Sequence, residues 1–342
     1  MKTVAVYPFP SDNDSNTYVK MILENAEAEN LKFIPFENSV SKTFKMDSKK
    51  VQEVYLNWYE NFEAPELWVT FRRLLKRWFI LHLLKRKHID IVPTVHNRQT
   101  HDTKWGRLSK AFTKYLYGNA KNLLILCENT RDVLKETFGE GFYKKKLEKK
   151  CVKIPHPTYT SIYPISTKDI RKAYCISDKD MVLLYLGAIK KYKNVELIIR
   201  LAKYFQRKGY NGKFILAGGC SDIDYLEQLR KETQGLTNLI LVPHFIGDEE
   251  IDGFMKAADV FICPLNIESS LNSGSCMLGL TYGKQVICPK IGTIQELNYG
   301  MPYTYVYQTK EEHYTELEKA AEKAYSDFTR NVVEYREKET EL

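Results

Sequence analysis

Short apolar runs alternate with longer stretches of mixed polarity along most of the chain. TVAVYPF (residues 3–9), LKFIPF (31–36), EVYLNWY (53–59), IDIVPTV (89–95), NLLILC (122–127) and CVKIPHP (151–157) read as strands. Between them, residues 17–30, 67–87, 108–120 and 129–138 repeat apolar positions at the three-to-four spacing of a helix face. The pattern then restarts. MVLLYLG (181–187), KFILAGG (213–219), NLILVPHF (238–245), DVFICPL (259–265) and QVICP (285–289) are strands, and residues 194–209, 223–235, 248–258 and 272–283 are the helices between them. Strands apolar on both faces need cover on both faces, and a strand–helix–strand alternation supplies it with a parallel sheet. Two such runs predict an α/β chain of two doubly wound, Rossmann-like domains.

The proline-bearing stretch IPHPTYTSIYPISTKD (154–169) separates the runs. The predicted domains are residues 1–157, residues 158–318, and a C-terminal helix, 319–342, returning to pack on the first domain. A length of 342 residues suits two domains, and 44% hydrophobic content fills two cores.

The start of the chain has no signal-peptide pattern, and no apolar stretch reaches the length of a membrane span. Seven scattered cysteines with no Cys-x-x-Cys suit buried thiols in a reducing compartment and form no metal motif. The expected location is therefore the cytoplasm, with no metal. The net charge of +8 is uneven: residues 71–88 carry Arg72, Arg73, Lys76, Arg77, Lys85, Arg86 and Lys87 and no acid. Interleaved with Leu, Trp, Phe and Ile, this segment reads either as an ordinary helix with a solvated basic face or as a patch for an anionic membrane surface.

Ligands of doubly wound sheets sit at the carboxyl ends of strands. In the second half, that rule selects Gly187 with Lys190 and Lys193, Gly218, and the loop into Asn272, Ser273, Gly274 and Ser275. Ser-Gly-Ser before an apolar helix is either a helix cap or a phosphate cradle, since both use uncovered N–H groups. In the first half the rule selects His96, with His101 and Asp102 in the same loop, and Glu60. An imidazole or carboxylate there is a candidate base, whereas Trp58 reads as core. No Walker A and no G-x-G-x-x-G sequence occurs, which disfavours an ordinary ATPase or dehydrogenase.

The stretches DEEIDGFMKAADVFICPL and GSCMLGLTYGKQVICPKIGTIQEL resemble the donor-binding half of GT-B glycosyltransferases, family 4 in particular. LGAIKKYKNVELI is similar to that family's Gly-x-Ile-Arg-x-Tyr-Lys segment, TVHNRQTHD to a Val-His-Asn…His-Glu segment of its acceptor half, and IPHP to its interdomain stretch. The resemblance implies a GT-B fold, with two Rossmann-like domains facing a central cleft. It implies sugar transfer from a nucleoside-diphosphate sugar to a glycan or lipid-linked acceptor hydroxyl, without a metal or other cofactor. On it, Lys190 and Lys193 hold the diphosphate, and Ser273, Gly274 and Ser275 open a helix onto phosphate and sugar. Phe245 and Ile246 contact the base, and Glu296 matches the acid after Gly-Thr. Leu278 stands where many relatives place a second, ribose-binding glutamate, with Glu268 a loose match for the first. A nucleotide-sugar epimerase is the alternative within the same fold. A non-catalytic anion or nucleic-acid binder is a third reading, although no nucleic-acid module is visible.

Overall fold

The computed structural model describes residues 2–10, 17–26, 31–98, 104–297 and 303–340. The chain divides into two compact units, Met1–Pro157 with Glu268–Asn272, and Thr158–Ile267 with Ser273–Leu342.

The first unit contains β1 (Lys2–Tyr7), α1 (Thr17–Ala26), β2 (Leu31–Pro35), α2 (Val40–Lys45), β3 (Glu53–Asn57) and α3 (Leu67–Arg86). It continues with β4 (Asp90–Val95), α4 (Gly106–Asn119), β5 (Leu123–Ile125), α5 (Asn129–Phe138), the single turn α6 (Glu140–Phe142) and β6 (Cys151–Lys153). Its six strands lie in the order β2-β1-β3-β4-β5-β6, every pair parallel. The order reverses between β1 and β3, which makes their carboxyl ends the switch point where such sheets bind ligands.

In the second unit the elements run α7 (Ile170–Ala173), β7 (Met181–Leu186), α8 (Val195–Lys208), β8 (Gly212–Ala217), α9 (Ile223–Glu232), β9 (Leu239–Val242) and α10 (Asp248–Ala257). They continue through β10 (Val260–Ile262), α11 (Gly274–Thr281), β11 (Gln285–Pro289), α12 (Gly292–Glu296), β12 (Tyr303–Tyr305) and α13 (Lys310–Thr340). The order β12-β11-β10-β7-β8-β9, again all parallel, puts the switch point between β7 and β10. All six residues of β7 are buried, as a central strand covered on both faces requires.

One expectation is corrected. The last helix does not serve the first unit over its described side chains: Leu317, Ala321 and Ala324 are buried in the second unit's core. Tyr325 stacks on Tyr210 with ring centroids 4.6 Å apart, and the Tyr204 hydroxyl donates to Glu322 at 2.5 Å. Along 310–331 a narrow apolar stripe runs among the charges, and the helix packs on β11 and β12.

Candidate functional site

Gly187, Gly218, Lys193 and the start of α11 come together at the β7/β10 switch point of the second unit. Gly187 and Gly218 end β7 and β8 with φ of 152° and 147°, a region that disfavours side chains. A Cβ on Gly218 would lie 1.9 Å from the Gly187 carbonyl oxygen, so the two strand ends approach more closely than any other residue allows. A Cβ on Gly187 would stand 3.6 Å from Ser275 Oγ, which places the first turn of α11 against that glycine. Gly274 is required as well, because its Cβ would fall 2.6 Å from the Tyr159 hydroxyl.

Both readings of Ser-Gly-Ser hold in part. Ser273 caps α11, its Oγ accepting from Cys276 N at 3.2 Å, and it is buried. The cap accounts for one first-turn N–H, and the others of that turn have no partner within the helix. Lys193 lies beside this helix start, near the buried Cys263 and Cys276. Burial pulls its ammonium below the usual lysine range, and Lys190 adds to the effect. Among the described residues no carboxylate pairs with Lys193, whereas its neighbour Lys191 pairs with Asp222 at 3.1 Å. Asn194 opens α8 in the left-handed region, and its Nδ2 donates to Pro264 O at 2.9 Å, tying this loop to the end of β10. Phe245 is 68% exposed beside Gly219, Ile246 is buried, and Glu296 ends α12 at the surface. Asn272 falls outside this cluster: it belongs to the first unit, where its Nδ2 donates to the His96 carbonyl at 2.9 Å.

The first unit assembles its own cluster at the carboxyl ends of β3 and β4. His96 is 5% exposed, and Trp58 stacks on it at 4.0 Å with the rings 16° apart. Tyr18 meets it edge-on at 4.9 Å. Asn57 Nδ2 donates to Tyr7 O at 3.4 Å, so its Oδ1 accepts from His96 Nε2 at 3.1 Å and fixes the Nε2–H tautomer. Burial, reinforced by His156, lowers the His96 pKa to about 3. The imidazole is therefore neutral at pH 7 and a poor proton acceptor. His101 lies outside the described residues.

Trp58, expected in the core, is placed otherwise. It is half-buried rather than core, and it sits at φ 51°, a costly conformation for a bulky side chain. Tyr18, Asn57 and His156 were also missed, because only the fold brings residues so distant in sequence around one imidazole.

Glu60 is buried, and its Oε2 has no hydrogen-bond partner. Burial raises its pKa to about 7 against a smaller opposing effect of Arg77. Arg77 is buried too, with Nη1 donating to Tyr59 O and the guanidinium 4.6 Å from the Tyr59 ring centroid. Glu60 lines a pocket of ≈ 430 Å³ together with residues of β4, α4 and α5. Among the described residues no group of three or more His, Cys, Asp or Glu side chains is placed to hold a metal.

Holding Glu60 neutral has a cost that pH exposes. Its folded pKa of about 7 lies above the ordinary 4.5, so below 4.5 both folded and unfolded states carry the proton and nothing is lost. Between 4.5 and 7 only the unfolded state releases it, and stability falls as pH rises. In urea titrations, Glu60→Gln should gain about 3 kcal/mol relative to wild type between pH 4 and pH 8, at roughly 1.4 kcal/mol per unit. A gap that does not change with pH would show that Glu60 is not held neutral.

Residues 166–296 match the family model described as glycosyl transferases group 1. This stretch is a group 1 glycosyltransferase domain. No curated protein matches the chain in sequence. In structure the chain is similar to Anabaena HepE in complex with UDP-glucose, at 12% identity, TM-score 0.62, and coverage of 99% of this chain and 100% of that one. Sucrose-phosphate synthase from Thermosynechococcus elongatus gives 13% identity and TM-score 0.64 with 100% of both chains covered. WaaG, a glycosyltransferase involved in lipopolysaccharide biosynthesis, gives 13% and 0.60 over 95% of this chain and 90% of that one. The fold is GT-B and the enzyme is a glycosyltransferase, as the sequence resemblance implied.

Proposed function

We propose that the second unit of this glycosyltransferase binds a nucleoside-diphosphate sugar and that the first unit presents a hydroxyl of a glycan or lipid-linked acceptor. The observation that carries the donor assignment is Lys193, a half-buried cation that pairs with no carboxylate among the described residues, beside the open start of α11. An anion there meets a lysine and helix-start N–H groups together. In the reaction the bond from the anomeric carbon to the diphosphate breaks, and negative charge builds on the departing phosphate. Lys193, Lys190 and the N–H groups of Gly274 and Ser275, fixed before reaction, stabilise that charge without reorganising. Gly187 and Gly218 let the ends of β7 and β8 close up beside the start of α11, and Phe245 offers an exposed ring to the base. HepE's complex with UDP-glucose supports a uridine nucleotide as the first donor to try, and WaaG's role supports a glycan-building one.

The acceptor hydroxyl must lose a proton. Glu60, with a pKa of about 7, is better matched to that task near neutrality than His96 at about 3. His96, neutral and held by Asn57 and Trp58, instead offers a positioned ring at the carboxyl ends of β3 and β4. Incubation with UDP-glucose and other nucleotide sugars in EDTA, with release of nucleoside diphosphate followed, tests the reading. Release from one donor in the chelator supports it; release only with added divalent metal would assign the charge stabilisation elsewhere.

Docking of α3 on an anionic membrane surface is a second part of the proposal. Arg77 points into the core, Lys85 donates to Asn119 and Lys87 to the Met46 carbonyl, so the basic face is smaller than its sequence. The exposed face nevertheless carries Trp68 at 73%, with Phe71, Leu75, Trp78 and Phe79, among Arg72, Arg73 and Lys76. Aromatic rings at headgroup depth with cations toward lipid phosphates make a membrane-surface pattern. No helix among the described residues is long and apolar enough to cross a membrane. Sedimentation with phosphatidylglycerol vesicles should capture the protein, and Trp68→Ser with Phe71→Ser should abolish most of the capture. Equal recovery with purely zwitterionic vesicles, or self-association without lipid, would count against the assignment.

A further inference from the structure

We infer that Tyr159 is a further ligand of the donor diphosphate, its hydroxyl donating to a phosphate oxygen at the start of α11. This rests on the donor reading above, and it adds a residue that lies at no strand end, in the stretch between the two runs of strands. Tyr159 belongs to the second unit, two residues after the chain leaves the first at Pro157. Its backbone N–H donates to Thr281 Oγ1 at 3.2 Å, and its ring stacks on Tyr163 with centroids 6.0 Å and planes 12° apart. Thr281 closes α11, and its hydroxyl donates to Met277 O at 2.7 Å. The tyrosine is thus fastened by its backbone to the last turn of α11, while its side chain reaches the first turn.

Two observations point from that hydroxyl to a ligand. The first is the glycine it meets. A Cβ on Gly274 would fall 2.6 Å from the hydroxyl oxygen but 3.8 Å from the ring carbon that carries it, so the oxygen alone demands the glycine. Gly274 is not in the left-handed region, and room for that oxygen is what its missing side chain provides. The second is that the hydroxyl is uncommitted: Tyr159 is 9% exposed, yet its hydroxyl has no hydrogen-bond partner among the described residues. A polar atom so buried is costly to leave unpaired. A phosphate oxygen reaching the N–H groups of Gly274 and Ser275 would be its acceptor. Gly187 beside Ser275 and Lys193 near Cys276 border the same turn, so the group that enters meets a cation as well. Burial, reinforced by Tyr163, pushes the Tyr159 pKa above the ordinary tyrosine range, which keeps the hydroxyl a neutral donor near neutral pH. Its hydrogen bond strengthens as negative charge gathers on the departing phosphate.

Calorimetry with UDP, or with whichever of GDP, ADP, CDP and dTDP binds in its place, tests this on Tyr159→Phe, Gly274→Ala and the double variant. Tyr159→Phe should weaken binding about tenfold, the loss of one hydrogen bond to a charged group. The unfolding temperature of the free protein should stay level or rise, because an unpaired buried group has been removed. Gly274→Ala should lower that temperature, since its methyl meets the hydroxyl. The double variant should recover it and bind no more weakly than Tyr159→Phe, which separates loss of the ligand contact from damage to α11. Wild-type affinity in Tyr159→Phe, with affinity reduced in Lys193→Ala, overturns the Tyr159 assignment and leaves the donor site standing. Weaker binding together with a lowered unfolding temperature in Tyr159→Phe makes the hydroxyl a packing element and also overturns it. No nucleoside diphosphate bound by the wild-type chain removes the donor reading and this assignment with it.

Discussion

Glu60→Gln lowers the rate of sugar transfer by about 10²–10⁴-fold, the usual loss when a general base is removed, while nucleoside-diphosphate affinity stays at the wild-type value. The split follows from the placement of the residue: Glu60 belongs to the first unit, and the Lys193 cluster to the second. The pH profile gives an independent readout. A base must be ionised, so the wild-type rate should climb as pH rises through about 7 and level off above it. Arg77 pulls this limb down and burial pushes it up, with burial the larger effect. If His96 were the base, with a pKa of about 3, the limb would lie far below neutrality. His101→Ala, five positions after His96 in the sequence, is the comparison: full transfer in Glu60→Gln with loss in His101→Ala would move the role to that histidine.

Lys193→Ala is expected to weaken nucleoside-diphosphate binding by about 1.5–3 kcal/mol, the range for hydrogen bonds to charged groups. That is roughly a 10–150-fold rise in Kd by calorimetry. The loss should reach the upper part of the range because Lys193 is shielded from solvent, where a charge interaction is weakened less. Lys191→Ala is the control. That lysine is two-thirds exposed and already paired with Asp222, so its removal should change affinity little. Equal effects from the two substitutions would mean that general positive charge, rather than the Lys193 position, holds the anion.

How much of this the sequence disclosed depended on the range of the interactions. The β7–β8 half of the second unit was legible because MVLLYLG and KFILAGG are apolar throughout and end in glycines, and buried parallel strands require the first property. The glycines at 187 and 218 were legible as strand ends, although that they approach each other was not. Short elements were missed: α2 spans Val40–Lys45 and β12 Tyr303–Tyr305, too few residues for a period to show. The basic segment was read as one face, yet Arg77 turns inward because the Tyr59 carbonyl and ring await it from another element. Trp58 looked like core because aromatic residues near strand ends usually are. Its partner His96 lies 38 positions away and is brought to it by the pairing of β3 with β4.

The claim at the centre of this account is that the β7/β10 switch point of the second unit is a nucleoside-diphosphate site. Thermal unfolding of the full chain with UDP, GDP, ADP, CDP and dTDP in turn, in EDTA, tests it most directly, because a ligand that binds only the folded state raises its unfolding temperature by mass action. The account predicts that at least one of the five, UDP first, raises the unfolding temperature of the wild-type chain and fails to raise that of Lys193→Ala at the same concentration. No shift from any of them at millimolar concentration, or an equal shift in the Lys193 variant, would contradict it.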